Sequence, residues 1–300
     1  MTLVSAIVVT QRGGPLLGAC LAALRAAVSP LDAEILVVDN SIEGVAAPGV
    51  RVLPQGRNVG FAGGVVAGIE AAAGEWILLV NDDAELEPGA TTALHEALSS
   101  RPEAAIAGAM LVTHAGRQEP SAWRFPGPLT ALLTVFQLHR RFVVQSRGTS
   151  TRQVDWVQSA ALLVRRDAAE AVGYIDPAFF VFSDEVDFCK RLHDAGWEVL
   201  HVPSARAVGH EPPAYDERRR IVELSRNRDR YMRKHHGPSA ARSVRWLTAF
   251  TYAMRALAAL VLPGHDARLY ARHASATLFP GRGEGLAESA AEYNRGGRRL

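Results

Sequence analysis

The first third of the chain alternates between short apolar runs and segments with helical spacing of apolar residues. Residues 4–10, 34–39 and 76–80 are apolar runs without polar alternation, and residues 15–28 repeat leucine at helical spacing. Unalternating runs of this length are typical of parallel strands that are covered on both faces. Strands that alternate with helices over the first 110 or so residues predict an α/β fold, with a mostly parallel sheet flanked by helices.

The pattern changes after residue 112. Prolines and arginines interrupt the next segment, a second block of strands and helices follows it, and the last part is basic and helical. The final twenty residues are rich in Gly, Arg and Glu, which predicts a flexible tail. The predicted organisation is one domain over residues 1–215, with a first half at 1–112, an insertion at 113–153 and a second half at 154–215, followed by a basic helical region at 216–280 and the tail at 281–300.

The net charge of +2 conceals an uneven distribution. Residues 1–200 contain 15 Lys/Arg and 22 Asp/Glu, whereas residues 201–300 contain 18 and 9. The acidic part suits cations, and the basic part suits phosphates or an anionic membrane surface. No zinc-ligand spacing, RNA-recognition pattern or helix-turn-helix signal accompanies the basic part, so we expect no nucleic-acid partner.

The cysteines and the start of the chain predict a cytoplasmic protein. The two cysteines, Cys20 and Cys189, both lie in helical patterns, which favours buried thiols in a reducing compartment. Nothing before Ser5 resembles a signal peptide, because the first strand begins without a basic region or a cleavage site before it.

The third apolar run ends in Asn81-Asp82-Asp83. Two adjacent carboxylates at the carboxyl end of a buried strand repel each other and lose hydration, so they need compensation. A divalent cation bound through oxygen ligands would supply it, at the edge where open α/β sheets bind ligands. The alternative is that the two acids cap the next helix, with Pro88 in its first turn.

Two further features suit a nucleotide. Asp39 ends the second strand and could accept a hydrogen bond from a nucleobase or a ribose; alternatively it closes a turn on Ser41. The glycine-rich turn from Asn58 through Gly60 and Gly63 opens a helix, where it could admit an anionic ligand or serve tight helix–sheet packing. No G-x-G-x-x-G follows the first strand, which argues against a dinucleotide fold.

Acids and a histidine in the second half suit catalysis or metal binding. Asp184, Glu185 and Asp187 begin a predicted helix after the aromatic residues 179–182, where an apolar wall can raise a carboxyl pKa and prepare a general base. The helix macrodipole also favours acids there, so a structural role stays open. His210 ends a strand and is either structural or a metal ligand.

The ordered set of these motifs over about residues 3–236 resembles the family 2 inverting glycosyltransferases with the GT-A fold, especially the bacterial rhamnosyltransferase-like branch. The residues that carry the resemblance are Val9-Thr10, Val37-Val38-Asp39-Asn40, Asn58-x-Gly60-Phe61-Ala62-Gly63-Gly64, Asn81-Asp82-Asp83-Ala84-Glu85-Leu86, Asp184-Glu185-x-Asp187 with Cys189, Ala195-Gly196-Trp197 and His210.

The resemblance implies a role for each position. The first half binds the nucleotide sugar and the second half the acceptor. The implied donor-binding residues are Thr10, Asp39, Asn58, Gly60, Gly63 and Asp82; the metal ligands for Mg²⁺ or Mn²⁺ are Asp83 and His210; and the catalytic base is Glu185, with Asp184 as the alternative. This chain has Gln11-Arg12 where the family often has Tyr-Asn, Asp82 where it often has proline, and Asp184-Glu185 where it usually has Glu-Asp.

The resemblance also implies a reaction. We expect an inverting hexosyltransferase that moves a sugar to a hydroxyl of a cell-envelope glycan or a polyprenyl-linked glycolipid. dTDP-L-rhamnose is the favoured donor, and UDP-linked sugars stay open. The enzyme is expected at the inner face of the plasma membrane as a peripheral protein, and its oligomeric state is left open. Two alternatives remain at this point: a nucleotidyltransferase, and a non-catalytic carbohydrate- or lipid-phosphate-binding protein on the same fold.

Overall fold

The computed structural model describes residues 3–29, 31–210 and 216–296. The chain divides into two compact units, and the second unit combines part of the predicted insertion with the C-terminal helices. The first unit comprises Met1–Arg124, Gln145–Phe180 and Asp184–Pro212, and the second comprises Phe125–Val144, Val181–Ser183 and Pro213–Leu300.

The strands all lie in the first unit. In chain order they are β1 (Leu3–Thr10), β2 (Asp32–Asp39), β3 (Arg51–Pro54), β4 (Trp76–Asn81), β5 (Ala84–Leu86), β6 (Ala104–Val112), β7 (Gln118–Glu119), β8 (Ala122–Trp123), β9 (Arg152–Val154), β10 (Trp156–Val157), β11 (Ala161–Arg165) and β12 (Glu198–Gly209).

The helices are divided between the two units. In chain order they are α1 (Gly14–Val28), α2 (Gly60–Ala71), α3 (Ala90–Ser99), α4 (Pro128–Val135), α5 (His139–Phe142), α6 (Arg166–Val172), α7 (Asp184–Asp194), α8 (Glu217–Ala258), α9 (Ala267–Leu278) and α10 (Leu286–Asn294), and a short 3₁₀ helix covers Pro177–Phe179.

One large sheet forms the centre of the first unit, with its main strands in the order β3-β2-β1-β4-β11-β6-β12-β5. The four strands from β3 to β4 are parallel, as are β6 and β12. Strand β11 runs antiparallel between β4 and β6, and β5 runs antiparallel to β12. The predicted α/β fold is therefore confirmed. Strands β1 to β4 are all parallel, whereas the later strands of the sheet pair in both directions.

Close packing holds the first helices on the sheet. Strand β4 is buried along five of its six residues, as its unbroken apolar pattern predicts. Helix α2 lies so close to β1 that a Cβ on Gly64 would be 2.6 Å from Val9, and one on Gly68 would be 2.5 Å from Ile7. The small residues of α2 thus serve the tight helix–sheet packing that the sequence left open.

The second unit is helical. The sequence predicts a basic helical region at 216–280, and α8 covers residues 217–258 of it with a break at Gly237, whose φ is 81°. Pro238 follows the break and cannot donate an N–H to the preceding turn, which accounts for the break. Helices α4, α9 and α10 all pack against α8.

Helix α10 occupies part of the predicted tail. Ala290 and Tyr293 are buried, and Glu288 pairs with Arg226 at 2.7 Å. This apolar contact and ion pair with α8 stabilise a helix at residues 286–294, where the polar composition predicts a flexible segment. Residues 297–300 of that prediction lie outside the described residues.

Both cysteines are buried free thiols, as expected, and burial raises the pKa of each to about 12. Over the described part of the chain, no helix combines the length and apolar character needed to cross a bilayer.

Candidate active site

The ends of β1, β2 and β4 come together at one edge of the sheet. Thr10 is the register partner of Asp39, and Val9 is the partner of Asn81. The backbone N–H of Asn40 donates to the Thr10 carbonyl at 2.8 Å. Because these strands are parallel, their polar last residues meet at the carboxyl edge, where the sequence places the donor and the metal.

Thr10 contacts Asp82 directly. Its hydroxyl donates to Asp82 Oδ2 at 2.6 Å, and the backbone N–H of Gly13 donates to the same hydroxyl at 3.2 Å. Burial raises the pKa of Asp82, the Thr10 hydrogen bond lowers it, and neighbouring Asp83 raises it. The hydrogen bond from Thr10 therefore orients the Asp82 side chain at the carboxyl edge of the sheet.

Asp83 and His210 are neighbours across the β5–β12 pairing. The His210 backbone N–H donates to the Asp83 carbonyl at 2.9 Å. Burial raises the pKa of the Asp83 carboxyl, and the nearby His210 lowers it. The His210 ring already has two contacts, with Nε2 2.5 Å from Glu85 Oε1 and Nδ1 3.1 Å from His114 Nε2.

The donor atoms at this edge suit a divalent cation. Carboxylate and imidazole ligands bind Mn²⁺ and Mg²⁺ in proteins, and burial raises the pKa of both aspartates, so an adjacent cation would offset their charge. The Asn81 Oδ1 atom is buried and has no hydrogen-bond partner, which adds an oxygen there. Within the described residues no group of three or more His, Cys, Asp or Glu is arranged to hold a metal. His210 would thus have to exchange its contact with Glu85 or His114 to become a ligand.

Asp39 closes a turn. Its Oδ1 accepts from the Ser41 N–H at 2.8 Å and its Oδ2 accepts from the Val45 N–H at 2.9 Å, and the side chain is buried. The turn alternative from the sequence is therefore present. Each carboxylate oxygen has a second lone pair, so this turn does not prevent the predicted contact with a nucleobase.

Asn58, Gly60 and Gly63 begin α2. The Asn58 side chain accepts from the Gly60 N–H at 2.9 Å, and the Ala62 N–H donates to the Phe180 carbonyl at 3.0 Å. Asn40 donates to the Gly60 carbonyl at 2.8 Å and leaves its own Oδ1 buried without a partner. The N–H groups of Gly60 and Ala62, which the sequence predicts as possible anion ligands, therefore donate to protein oxygens instead. Internal hydrogen bonds hold the turn in this conformation.

Asp184 and Glu185 form a coupled carboxyl pair at the start of α7. Asp184 is 1% exposed and its Oδ2 has no hydrogen-bond partner, whereas Glu185 is partly exposed. Burial raises the pKa of Asp184 strongly, and the charge and hydrogen bond of Glu185 raise it further. Burial also raises the pKa of Glu185, but the hydrogen bond from Asp184 lowers it. Burial and the shared hydrogen bond therefore favour the protonated form at Asp184 over the protonated form at Glu185.

The third acid of this motif is structural. Asp187 is buried and pairs with Arg191 at 2.8 Å, and the Arg191 guanidinium also donates to the carbonyls of Val172 and Tyr174. This network fixes α7 to the end of α6. It leaves Asp184 and Glu185 as the acids of this turn that are available for chemistry.

The backbone before the acid pair has an unusual conformation. Phe180, Phe182 and Ser183 have φ values of 58°, 68° and 64°. Such left-handed conformations cost about 1–3 kcal/mol each in residues other than glycine, and they cluster at functional sites. The strained segment ends directly at Asp184, which is consistent with a site there.

Four residues with no role predicted from the sequence belong to these arrangements. Glu85 and His114 contact the His210 ring, and Asn40 and Asn81 carry buried side-chain oxygens without partners. The two asparagines and Glu85 lie within the motifs that carry the family resemblance, so the sequence could have indicated that they belong to the site. No sequence motif indicates His114, because it is 96 residues from His210 and comes close to it through the pairing of β6 with β12.

Comparison with known proteins identifies the family of this chain. Residues 5–172 match the family described as Glycosyl transferase family 2. The chain is 31% identical over 230 residues to the N-acetylglucosaminyl-diphospho-decaprenol L-rhamnosyltransferase of Mycobacterium tuberculosis, covering 68% of this chain and 75% of that protein. It is 30% identical over 219 residues to a galactofuranosyltransferase of Mycolicibacterium smegmatis, covering 64% and 66%.

Solved structures share the fold. The mannosyltransferase PcManGT from Pyrobaculum calidifontis, in complex with GDP-Man and Mn²⁺, has a TM-score of 0.58 over 93% of this chain and 85% of its own, at 14% identity. GalNAc-T7 with UDP, GalNAc and Mn²⁺ has a TM-score of 0.58 over 98% and 57%, at 13% identity. The first unit therefore has a GT-A type of architecture.

These matches remove the nucleotidyltransferase and the non-catalytic alternatives. The family covers more than half of the chain, and the mycobacterial rhamnosyltransferase is matched over three quarters of its length. This chain belongs to glycosyl transferase family 2 and is a glycosyltransferase of the rhamnosyltransferase type.

Proposed function

We propose that this enzyme transfers L-rhamnose from dTDP-L-rhamnose to a hydroxyl of a polyprenyl-diphosphate-linked glycan, with inversion and with a divalent metal. The relative named N-acetylglucosaminyl-diphospho-decaprenol L-rhamnosyltransferase supports both the sugar and the acceptor class. The match to a galactofuranosyltransferase makes UDP-linked sugars the second class of donor to test.

The observation that carries the proposal is the difference between the two acids that begin α7. Asp184 is buried and Glu185 is partly exposed, so Glu185 is the one that an acceptor hydroxyl could contact. Burial raises the pKa of Glu185, and the hydrogen bond with Asp184 opposes that rise, which favours the ionised form that a base requires. In this assignment Asp184 is a positioning residue that carries the shared proton.

Proton and bond changes balance in one displacement. The acceptor hydroxyl gives its proton to the Glu185 carboxylate while its oxygen bonds to the anomeric carbon. The bond from that carbon to the nucleoside diphosphate breaks, and the diphosphate leaves with the electron pair from the opposite face. A single in-line displacement inverts the anomeric centre.

On the donor side, Thr10, Asp39, Asn58, Gly60, Gly63 and Asp82 form the proposed nucleotide-sugar site. Asp83 and His210 would hold Mg²⁺ or Mn²⁺, and the bound ion would offset the negative charge that develops on the leaving diphosphate. The hydroxyl of Thr10 donates to Asp82 at 2.6 Å, and we assign the metal to Asp83, the carboxylate that Thr10 does not contact.

The proposed acceptor also implies a cellular location for the enzyme. A polyprenyl-linked glycan is anchored in a membrane, so we place the enzyme at the cytoplasmic face of the plasma membrane as a peripheral protein of cell-envelope polysaccharide biosynthesis. Nucleoside diphosphate release from a donor panel, with and without a polyprenyl-diphosphate-linked N-acetylglucosamine acceptor, tests donor and acceptor together.

Glu185→Gln separates the base from its partner. A general base contributes about 10²–10⁴-fold, so this variant should lose transfer by that factor with donor affinity little changed. Asp184→Asn should lose less, because it removes only the positioning partner. Glu70→Gln, at an exposed glutamate on α2, is the matched control and should transfer normally. An inactive Asp184→Asn beside an active Glu185→Gln would exchange the two roles, and full activity in both would refute the assignment.

A further inference from the structure

The exposed large hydrophobic side chains of the described residues concentrate on the second unit. Apart from Ile42, they all lie within residues 125–144 and 239–279. They are Leu129, Leu132, Phe136, Leu138, Phe142, Trp246, Phe250, Met254, Leu257, Leu260, Val261, Leu262 and Phe279. A concentration of this kind marks an interaction surface rather than ordinary scattered exposure.

Part of the set forms a stripe along the second half of α8. Trp246, Phe250, Met254 and Leu257 recur at intervals of three or four residues, so they occupy one face of the helix. Trp246 is 67% exposed and Leu257 is 60% exposed, and the stripe continues into Val261 at 82%. Within the described residues, no other segment covers this face.

Helices α4 and α5 lie beside that half of α8. Helix α4 packs against α8, with Gly127 next to the His236 ring at its start. At the other end, His139 and Arg140 line a cavity of about 490 Å³ together with Arg255 and Leu262. Phe136 is 65% exposed between these two contacts. The two segments therefore contribute to one apolar face, which we name the docking face (residues 129–142 and 246–262).

Arginines lie at the docking face: Arg140 and Arg255 line its cavity, whereas Arg245 is paired with Asp229 at 2.7 Å. Residues 125–144 and 239–278 contain seven arginines, no lysine and one acid, Asp266. Asp266 is occupied in capping α9, where it accepts from the N–H groups of Arg268 and Leu269. Burial lowers the pKa of His139, and the nearby Arg255 and Arg140 lower it further, which reflects the positive potential at the cavity.

We propose that the docking face binds the surface of an anionic phospholipid bilayer. Tryptophan and phenylalanine are suited to the interface between headgroups and acyl chains, and arginines around them pair with anionic headgroups. A second copy of this chain would instead bring arginine-rich surfaces together, and like charges oppose that contact. The proposal specifies the surface for the membrane association proposed above, and its test does not depend on sugar transfer.

The test is cosedimentation of the full chain with vesicles of phosphatidylcholine alone or mixed with phosphatidylglycerol. We expect binding to the mixed vesicles that weakens as salt rises, because the arginine contribution is screened. The double variant Trp246→Ser/Phe250→Ser should bind about tenfold or more weakly, since it removes two exposed aromatic groups from the interface. Arg141→Glu should weaken binding to the anionic vesicles only.

Ile42→Ser is the matched control, because Ile42 is the exposed large hydrophobic of the described residues that lies in the first unit. It should bind vesicles like the parent chain, and all variants should keep the parent melting temperature. Unchanged vesicle binding by the double variant would overturn the proposal. So would a homodimer that the double variant dissociates in sedimentation equilibrium, with no vesicle binding by the parent chain, because the face would then be a subunit interface.

Discussion

Gly60 is held against Phe180, and replacing it by alanine tests that contact. Its φ is 81°, and an added Cβ would lie 2.5 Å from the Phe180 ring and 2.6 Å from the Phe180 carbonyl oxygen. The same carbonyl accepts from the Ala62 N–H at 3.0 Å, so it cannot withdraw without losing a hydrogen bond at the start of α2. Gly60→Ala therefore meets both an unfavourable backbone conformation and a steric clash.

The two costs can be separated with a second glycine. A left-handed conformation costs a residue with a Cβ about 1–2 kcal/mol. Overpacking adds about 1–3 kcal/mol, so Gly60→Ala should lower the free energy of unfolding by about 2–5 kcal/mol. Gly173 has the same φ of 81° but nothing within 4 Å of its Cβ position. Gly173→Ala should therefore show the first cost alone, about 1–2 kcal/mol.

Urea unfolding of the full chain, followed by far-UV circular dichroism, gives both values from midpoint and slope. Calorimetric titration with dTDP adds a functional readout, since the start of α2 belongs to the proposed nucleotide site. We expect weaker dTDP binding in Gly60→Ala and unchanged binding in Gly173→Ala. Equal unfolding midpoints in the two variants would refute the reasoning, because they would show that Phe180 does not confine Gly60.

Two further predictions concern the metal and the pH dependence of stability. Asp83→Asn should weaken Mn²⁺ binding in the presence of dTDP, measured by electron paramagnetic resonance. Loss of a group that only hydrogen-bonds to a metal ligand costs roughly 10–100-fold in affinity, so loss of a ligand should cost at least as much. Unchanged Mn²⁺ affinity would show that Asp83 is not a ligand. Burial lowers the pKa of His201 from 6.5 to about 4. The stability conferred by its neutral ring is present above pH 6.5 and falls by about 3 kcal/mol as the pH drops to 4. His201→Gln should remove that part of the acid-induced loss in urea unfolding, and exposed His193→Gln should leave it.

The sequence predicts the sheet edge well because its signals are local. An unbroken apolar run defines β4, and the residues that end it are chemically unlike the run, so their place at the carboxyl edge follows from the direction of the strand. The reversed β11 was harder to foresee. Its direction depends on pairing with β4 and β6, which no short-range pattern encodes.

Segments whose structure depends on contacts with distant residues were harder to predict from the sequence. The predicted insertion contains α4, which packs with α8 about a hundred residues later in the chain, and the prolines of the insertion do not indicate that partner. In the same way, α10 forms although the final twenty residues are rich in Gly, Arg and Glu, because Ala290 and Tyr293 are buried and Glu288 pairs with Arg226. Composition describes a segment in water, whereas its structure depends on what it contacts.

The reversed order of the two acids is the departure from the family that matters most for the chemistry. A glutamate reaches one methylene further from its backbone than an aspartate. In this chain the shorter side chain lies in the buried position and the longer one lies where the surface is partly open. Burial raises the pKa of Asp184 strongly and so favours its protonated form, which can donate a hydrogen bond to the partly exposed Glu185. The Asp184-Glu185 order is therefore compatible with catalysis without moving the backbone of α7. In the proposed assignment, burial rather than position in the motif distinguishes the base from its partner.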